Sequence, residues 1–257
     1  MLYAAGQINC TNNIETNIVN IKKLIDYGFA TNADFCITPE YAVTGHVDDI
    51  NNWVDPKPAI NEIVQYAKER NIGLFLGTVY ESEESDKIYN QVRVYDKDGS
   101  FLHAANKVRC WGSIEKFEYS QDAIRNNVVE LPNGDTVGIL ICNDLWGNGW
   151  EEGPNIPRTM SKHGAGFFIH CTNATRDTFG ERDDCLREYH NAWIRAIGLD
   201  DPIISVDNAC NMNGTPYRGP TSSQSGAVVR GAWVCKASER LTDYFHVNIG
   251  DPYMKLI

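Results

Sequence analysis

The stretch Val137-Gly138-Ile139-Leu140-Ile141-Cys142-Asn143-Asp144-Leu145-Trp146 decides how this chain is read. Val137, Ile139 and Ile141 are β-branched and alternate along it. The apolar run is too short for a helix standing alone, so it reads as a buried strand. Gly134 and Asp135 open it, and Gly147, Asn148 and Gly149 close it. The strand runs straight into a turn with Cys142 at its exit. A thiol there is held by a rigid element while its sulfur can face a cleft, which is the placement a reactive side chain needs. A cysteine in apolar surroundings is more often a small hydrophobe filling core volume. Cys142 therefore needs partners before it means anything.

Two further stretches supply them. Ala33-Asp34-Phe35-Cys36-Ile37-Thr38-Pro39-Glu40-Tyr41 is a strand that ends in Pro-Glu. In Asn106-Lys107-Val108-Arg109-Cys110-Trp111-Gly112-Ser113-Ile114-Glu115 a lysine follows a strand, and a glutamate lies eight residues on. Together the three stretches place a carboxylate, an ammonium and a thiol at the ends of three separate strands. Taken singly, each has a bland reading. Glu40 is an exposed strand end, Lys107 a solvated surface lysine and Glu115 a solvated loop acid.

Bulk properties narrow the class. The length of 257 residues suits one layered α/β domain over residues 1–257. The apolar share of 42% and charged share of 22% are those of a globular protein with a sizeable core. A formal net charge of −11 repels phosphate backbones, so nucleic acid is a poor partner. No run of 18 apolar residues exists to span a bilayer. The opening Met1-Leu2-Tyr3-Ala4-Ala5-Gly6-Gln7 lacks a basic segment and does not read as a signal peptide. The eight cysteines are scattered, with no Cys-x-x-Cys pair. That pattern predicts reduced thiols in a cytoplasmic protein and no structural zinc.

Working outward, Leu2–Ile8 reads as a first strand. Ile14–Phe29 follows as an amphipathic helix with Ile14, Ile18, Ile21, Leu24 and Ile25 on one stripe. A second helix over Pro56–Arg70 turns Ile60, Ile63, Val64 and Ala67 inward. Ile72–Tyr80, Lys87–Tyr95 and Phe101–Asn106 read as strands, the last two joined by a turn at Lys97-Asp98-Gly99. Val108–Asn126 shows no clean period and reads as a loop over a cleft. Val128–Leu131 and Thr136–Ile141 form another hairpin. A helix from about Trp150 ends over Pro157–His163, and Gly166–Cys171 is a buried strand. Arg182–Leu199 is a long helix offering Leu186, Tyr189, Trp193, Ala196 and Ile197 for burial. Strands at Ile203–Asp207, Gly226–Val229, Ala232–Cys235 and Tyr244–Val247 complete the chain. Alternating helices and strands with interleaved hairpins predict mixed sheets with helices outside.

The three chemical stretches resemble the nitrilase superfamily of carbon–nitrogen hydrolases. The Pro-Glu strand end is similar to its general-base motif at Glu40, the strand-then-lysine to its lysine motif at Lys107, and Gly-Ile-Leu-Ile-Cys-Asn-Asp to its nucleophile motif at Cys142. Lys107 to Glu115 looks most like the aliphatic amidase branch, which makes Glu115 a fourth candidate catalytic residue and Glu118 its competitor. The resemblance implies a four-layer αββα sandwich. It also implies neither metal nor organic cofactor, and a homo-oligomer made of dimers or multiples of dimers.

It further implies the chemistry. Cys142 attacks an amide carbonyl and forms a thioester, a covalent route that splits one hard step into two. Glu40 moves the protons. Lys107 and the backbone N–H of Asn143 stabilise the oxyanion. Trp111, Asn143 and Trp146 are the candidate substrate-binding residues. Nitrile-cleaving relatives carry Cys-Trp-Glu where this chain has Cys142-Asn143-Asp144, so a small or aromatic primary amide is the expected substrate. An N-carbamoyl amine or a glutamine-type amide is the alternative. Outside enzymes, the alternative is an inactive scaffold or binding protein. The pair His170-Cys171 tempts one toward a Cys/His dyad but reads as a buried strand end whose histidine is satisfied by its neighbours.

Overall fold

The computed structural model describes residues 1–45, 54–82, 87–109, 121–146, 155–173, 181–209, 221, 223–238 and 241–250, with backbone alone at 121–122 and 181–186. Its first six-stranded sheet holds β1 (Leu2–Gln7), β2 (Phe35–Ile37), β3 (Gly73–Glu81), β4 (Ile88–Tyr95), β5 (Phe101–Asn106) and β12 (Asp243–Asn248), in the order β12-β1-β2-β3-β4-β5. The second holds β6 (Val128–Glu130), β7 (Thr136–Ile141), β8 (Phe167–Cys171), β9 (Ile203–Val206), β10 (Gly226–Val229) and β11 (Ala232–Lys236), in the order β11-β10-β9-β8-β7-β6. Both sheets are mixed. β1, β2 and β3 run parallel, as do β7, β8 and β9, and the flanking strands are antiparallel.

The period of two assigns the layers. Phe35 and Ile37 of β2 face the opposite sheet, together with Val137, Ile139 and Ile141 of β7 and Ile169 and Cys171 of β8. The residues between them turn outward. Cys36 meets α1 (Ile14–Ala30) and α2 (Lys57–Lys68). Leu140 and Phe168 join a third apolar cluster with residues of α3 (Gln121–Asn126), α4 (Ile156–Lys162) and α5 (Glu181–Asp200). Helix, sheet, sheet, helix is the expected αββα sandwich.

Three details differ from the sequence reading. α3 lies inside the span read as a loop, because six residues are too few to display a helical period. α4 begins at Ile156, capped by the Asn155 side chain accepting from the Arg158 N–H at 3.0 Å. The inner face of α5 is rotated from the expected stripe. Arg187, Ile194 and Gly198 are buried, whereas Ala196 is exposed. Arg187 occupies an inward position because its guanidinium donates to Thr221 Oγ1 and Gln224 Oε1 at 2.7 and 3.0 Å. A charged residue so satisfied interrupts the apolar stripe that sequence patterning follows.

Candidate active site

β2 delivers Glu40 through a turn packed tightly on β3. Gly77 of β3 lies against the Pro39 carbonyl so closely that a Cβ there would overlap it. The Gly77 N–H donates to Thr38 Oγ1 at 2.9 Å, and its carbonyl accepts from the Val43 N–H at 3.0 Å. Glu40 is only 1% exposed, so its carboxylate must be fully satisfied inside the protein. Oε1 accepts from Asn90 Nδ2 at 2.6 Å and from Lys107 Nζ at 2.9 Å. Oε2 accepts from the Asn173 backbone N–H at 2.9 Å. Four segments thus converge on one carboxylate: the end of β2, β4, the exit of β5 and the exit of β8.

Lys107 is 3% exposed and forms a buried ion pair with Glu40. Its backbone N–H donates to the Asn90 carbonyl at 2.9 Å, continuing the β4–β5 pairing by one residue. Asn127, in the turn between α3 and β6, brackets the preceding residue. Its Oδ1 accepts from Asn106 N at 3.0 Å, and its Nδ2 donates to Asn106 O at 2.6 Å. The base of the lysine is fixed at both ends.

Cys142 closes the group. β7 passes into a single 3₁₀ turn over Cys142–Asp144, and Cys142 itself has φ +47°. A non-glycine residue in the left-handed region is strained by roughly 1–3 kcal/mol and persists only where its surroundings enforce it. Asp144 does so. Its buried carboxylate accepts from the N–H groups of Val108 at 3.0 Å, Arg109 at 2.7 Å and Ile141 at 3.1 Å. One side chain thus ties the segment just after Lys107 to the residue just before Cys142. Burial pushes the Asp144 carboxyl up to about 7, against those three donors and the Lys107 charge.

The thiol of Cys142 is held well above its ordinary pKa, first by burial and then by the nearby Glu40 charge. Lys107 and the Thr172 hydroxyl pull the other way. The sulfur therefore lies within electrostatic reach of both members of the ion pair. Thr172 Oγ1 is buried with no other partner among the described residues, and its hydroxyl is placed to hydrogen-bond the Cys142 sulfur. Asn143 Oδ1 lies 4.0 Å from the sulfur. Trp146 is largely buried, packed edge-on to His170 and stacked on His190 with centroids 3.9 Å apart. It is part of the wall behind the turn.

The structure brings Glu40, Lys107 and Cys142 into one place, with Asn143 and Trp146 next to the sulfur-bearing turn. Glu115, its competitor Glu118 and Trp111 lie outside the described residues. Sequence reading missed Asn90, Asn173 and Thr172. Asn90 had a signal, because it stands on the same face of β4 as the core residues Val92 and Val94. A polar residue at an inward position of a strand asks for a buried partner. Among the described residues no group of three His, Cys, Asp or Glu side chains could hold a metal ion, and no helix is long and apolar enough to cross a membrane.

A two-sheet α/β sandwich that buries an acid, an ammonium and a thiol where its strands end is the architecture of a class of hydrolytic enzymes. The chain belongs to the carbon–nitrogen hydrolase family, whose model matches residues 2–239, and it is a carbon–nitrogen hydrolase. No curated protein sequence matches it. Among solved structures it resembles an amidase from Nesterenkonia sp., with 18% identity, TM-score 0.74, and coverage of 99% of this chain and 92% of that one. A variant of the Nesterenkonia sp. AN1 amidase, 16% identical with TM-score 0.74 over 99% of this chain and 95% of that one, carries the Michael addition product of acrylamide at its active site cysteine. The C. elegans NitFhit protein is also similar, with 18% identity, TM-score 0.77, and coverage of 96% of this chain and 60% of that one.

Proposed function

We propose that this hydrolase is a cysteine-dependent amidase that converts a small or aromatic primary amide to a carboxylic acid and ammonia. The observation that carries the reading is the buried Glu40–Lys107 pair at 2.9 Å, with a thiol that feels both charges. Cys142 Sγ attacks the carbonyl carbon, and its proton passes to Glu40. The carbonyl electrons move to oxygen, where Lys107 Nζ and the Asn143 N–H hold the oxyanion. One such donor is worth roughly 3–4 kcal/mol. As the C–N bond breaks, Glu40 returns the proton to nitrogen and ammonia leaves. Water then attacks the thioester, giving its proton to Glu40 and finally to the sulfur. Atoms and charge balance with no other reactant.

Glu115 joins this set as the group that orients water or substrate, and Trp111 as part of the acyl pocket, on the family resemblance. The same resemblance supports a homo-oligomer built from dimers. Among the described residues Cys36, Cys142, Cys171 and Cys235 form no disulfide, in keeping with a reducing, cytoplasmic setting. The test is ammonia release from acetamide, propionamide and benzamide by wild type and by Cys142→Ala. Turnover by the wild type that disappears in the variant is expected. Equal rates in the two proteins would overturn the proposal.

A further inference from the structure

His170 is a buried titratable residue that the chemistry above does not use. It stands on β8, paired in register with Leu140 of β7, two residues before the nucleophile. Its side chain lies on the outer, helix-facing side of that sheet, since Ile169 and Cys171 face the inter-sheet core. The ring is fully buried, and both nitrogens are engaged. Nε2 lies 3.2 Å from the Cys142 carbonyl oxygen, and Nδ1 lies 2.9 Å from Ser205 Oγ. A carbonyl oxygen only accepts, so Nε2 carries the proton. Burial lowers the imidazole pKa to about 3, so the ring is neutral and Nδ1 accepts from the Ser205 hydroxyl.

The peptide joining Cys142 to Asn143 is trans, like every peptide among the described residues. In a trans peptide the C=O and the following N–H point in opposite directions. The Cys142 carbonyl is drawn outward to His170 and also accepts from the Leu145 N–H at 3.2 Å. By trans geometry the Asn143 N–H then points away from His170 and the helix-facing side. We infer that His170 is a positioning residue for the reaction: it holds the strained Cys142–Asn143 peptide so that the Asn143 N–H faces the oxyanion, and Ser205 fixes the tautomer that lets it do so. The inference rests on the amidase reading for its substrate but not for its geometry. It also explains why a histidine here need not be one half of a Cys/His dyad. Its two nitrogens are occupied by a carbonyl and a hydroxyl, and neither meets the thiol.

His170→Phe keeps a ring against Trp146 and removes the bond to the Cys142 carbonyl. His170→Gln retains an N–H donor of similar reach. Ser205→Ala keeps the ring and loses only the tautomer anchor. The readouts are turnover of propionamide, acylation of Cys142 by p-nitrophenyl acetate, and alkylation of Cys142 by iodoacetamide. The first two pass through a tetrahedral oxyanion. The third is displacement of iodide by sulfur and does not. The expected result for His170→Phe is a fall of about 10²-fold in kcat and in the acylation rate, as for a misplaced oxyanion donor, with KM and the alkylation rate nearly unchanged. Rescue in His170→Gln and a smaller loss in Ser205→Ala are expected. If His170→Phe is folded and acylates as fast as wild type, or if alkylation falls in step with acylation, the inference is overturned. If His170→Phe does not fold, His170→Gln and Ser205→Ala decide it: full loss in Gln with no loss in Ala overturns it. Failure of wild type to hydrolyse any amide would overturn the amidase reading, while the ester and iodoacetamide rates would still test His170.

Discussion

Replacing Asp144 by asparagine sets two opposed effects against each other. Oδ1 of the carboxylate serves Val108 and Arg109, and Oδ2 serves Ile141 at 3.1 Å. The asparagine keeps one acceptor oxygen and puts an amide N–H2 against one of these donors. A buried N–H that loses its acceptor costs roughly 1–3 kcal/mol. The second effect is charge. Asp144 titrates at about 7 in the folded protein against an ordinary 3.8, because it is buried. Below pH 3.8 it is protonated whether the chain is folded or not, and it carries no penalty. As pH rises, the unfolded chain ionises first, and the stability this group contributes is lost progressively until the folded carboxyl ionises too, near pH 7. At ~1.4 kcal/mol per unit of separation the loss reaches about 4 kcal/mol. Asparagine never ionises and escapes it.

The difference between variant and wild type isolates this one group, because every other carboxylate cancels. Urea unfolding followed by tryptophan fluorescence at pH 5, 6, 7 and 8 measures it. Between pH 5 and pH 8 the asparagine variant should gain roughly 2–3 kcal/mol relative to wild type. Its activity should fall at every pH, because the side chain at 144 no longer holds both the segment after Lys107 and Ile141, the residue before the nucleophile. A gap that stays constant with pH, or that widens against the variant, would refute the argument. It would mean that three N–H donors and Lys107 outweigh burial.

Glu40→Gln removes the negative charge that raises the Cys142 thiol, so the pH midpoint of iodoacetamide alkylation should move down while amide turnover falls by at least ~10²-fold. Lys107→Met should move the same midpoint up and lower kcat by roughly 10²–10³-fold, because the ammonium favours both the thiolate and the oxyanion. Thr172→Val should also raise the midpoint, by less, since only one hydroxyl is lost. Gly77→Ala places a Cβ against the Pro39 carbonyl and displaces the Glu40 turn, so kcat should fall about 10²-fold with little change in urea midpoint if the strand adjusts. Steady-state kinetics of the Gly77 variant beside its unfolding curve separates a shifted base from a broken sheet.

The sandwich was legible because β-branched alternation survives in both sheets. Val137, Ile139 and Ile141 all face the core, as their period requires. From local pattern alone Glu40, Lys107 and Cys142 read only as three strand ends, and it was the family resemblance that joined them, since nothing in linear spacing says that residues 67 apart meet at 2.9 Å. What patterning cannot show is a polar residue satisfied by a distant one. Arg187 displaced the apolar stripe of α5 because Thr221 and Gln224 accept its hydrogen bonds. Glu40 reads as a surface acid until the Asn173 N–H and the Asn90 amide are in place. His170 reads as an ordinary core histidine, and it is buried and satisfied as expected. Its position against the Cys142 carbonyl depends on the parallel register of β7 and β8, which the sequence does not encode locally.

The raised thiol bears on how the proposed site is activated. A stored thiolate would set a second negative charge near Glu40, which burial and that charge both disfavour. The resting pair is then an ionised Glu40 with Lys107 and a neutral S–H. On attack the sulfur proton neutralises Glu40 at the moment when negative charge reaches the substrate oxygen. The transfer leaves the number of charges around Lys107 unchanged, since Glu40 loses its negative charge as the substrate oxygen gains one. Lys107 exchanges one anion for another without the protein having to admit water or move a second counter-ion. This is electrostatic preorganisation achieved by charge transfer across a fixed ammonium. It requires that alkylation of Cys142 in the free enzyme be slow at neutral pH and rise with pH, while acylation by a carbonyl substrate is already fast there. An alkylation rate in the free enzyme that is already maximal at pH 6 would show a preformed thiolate and remove this account.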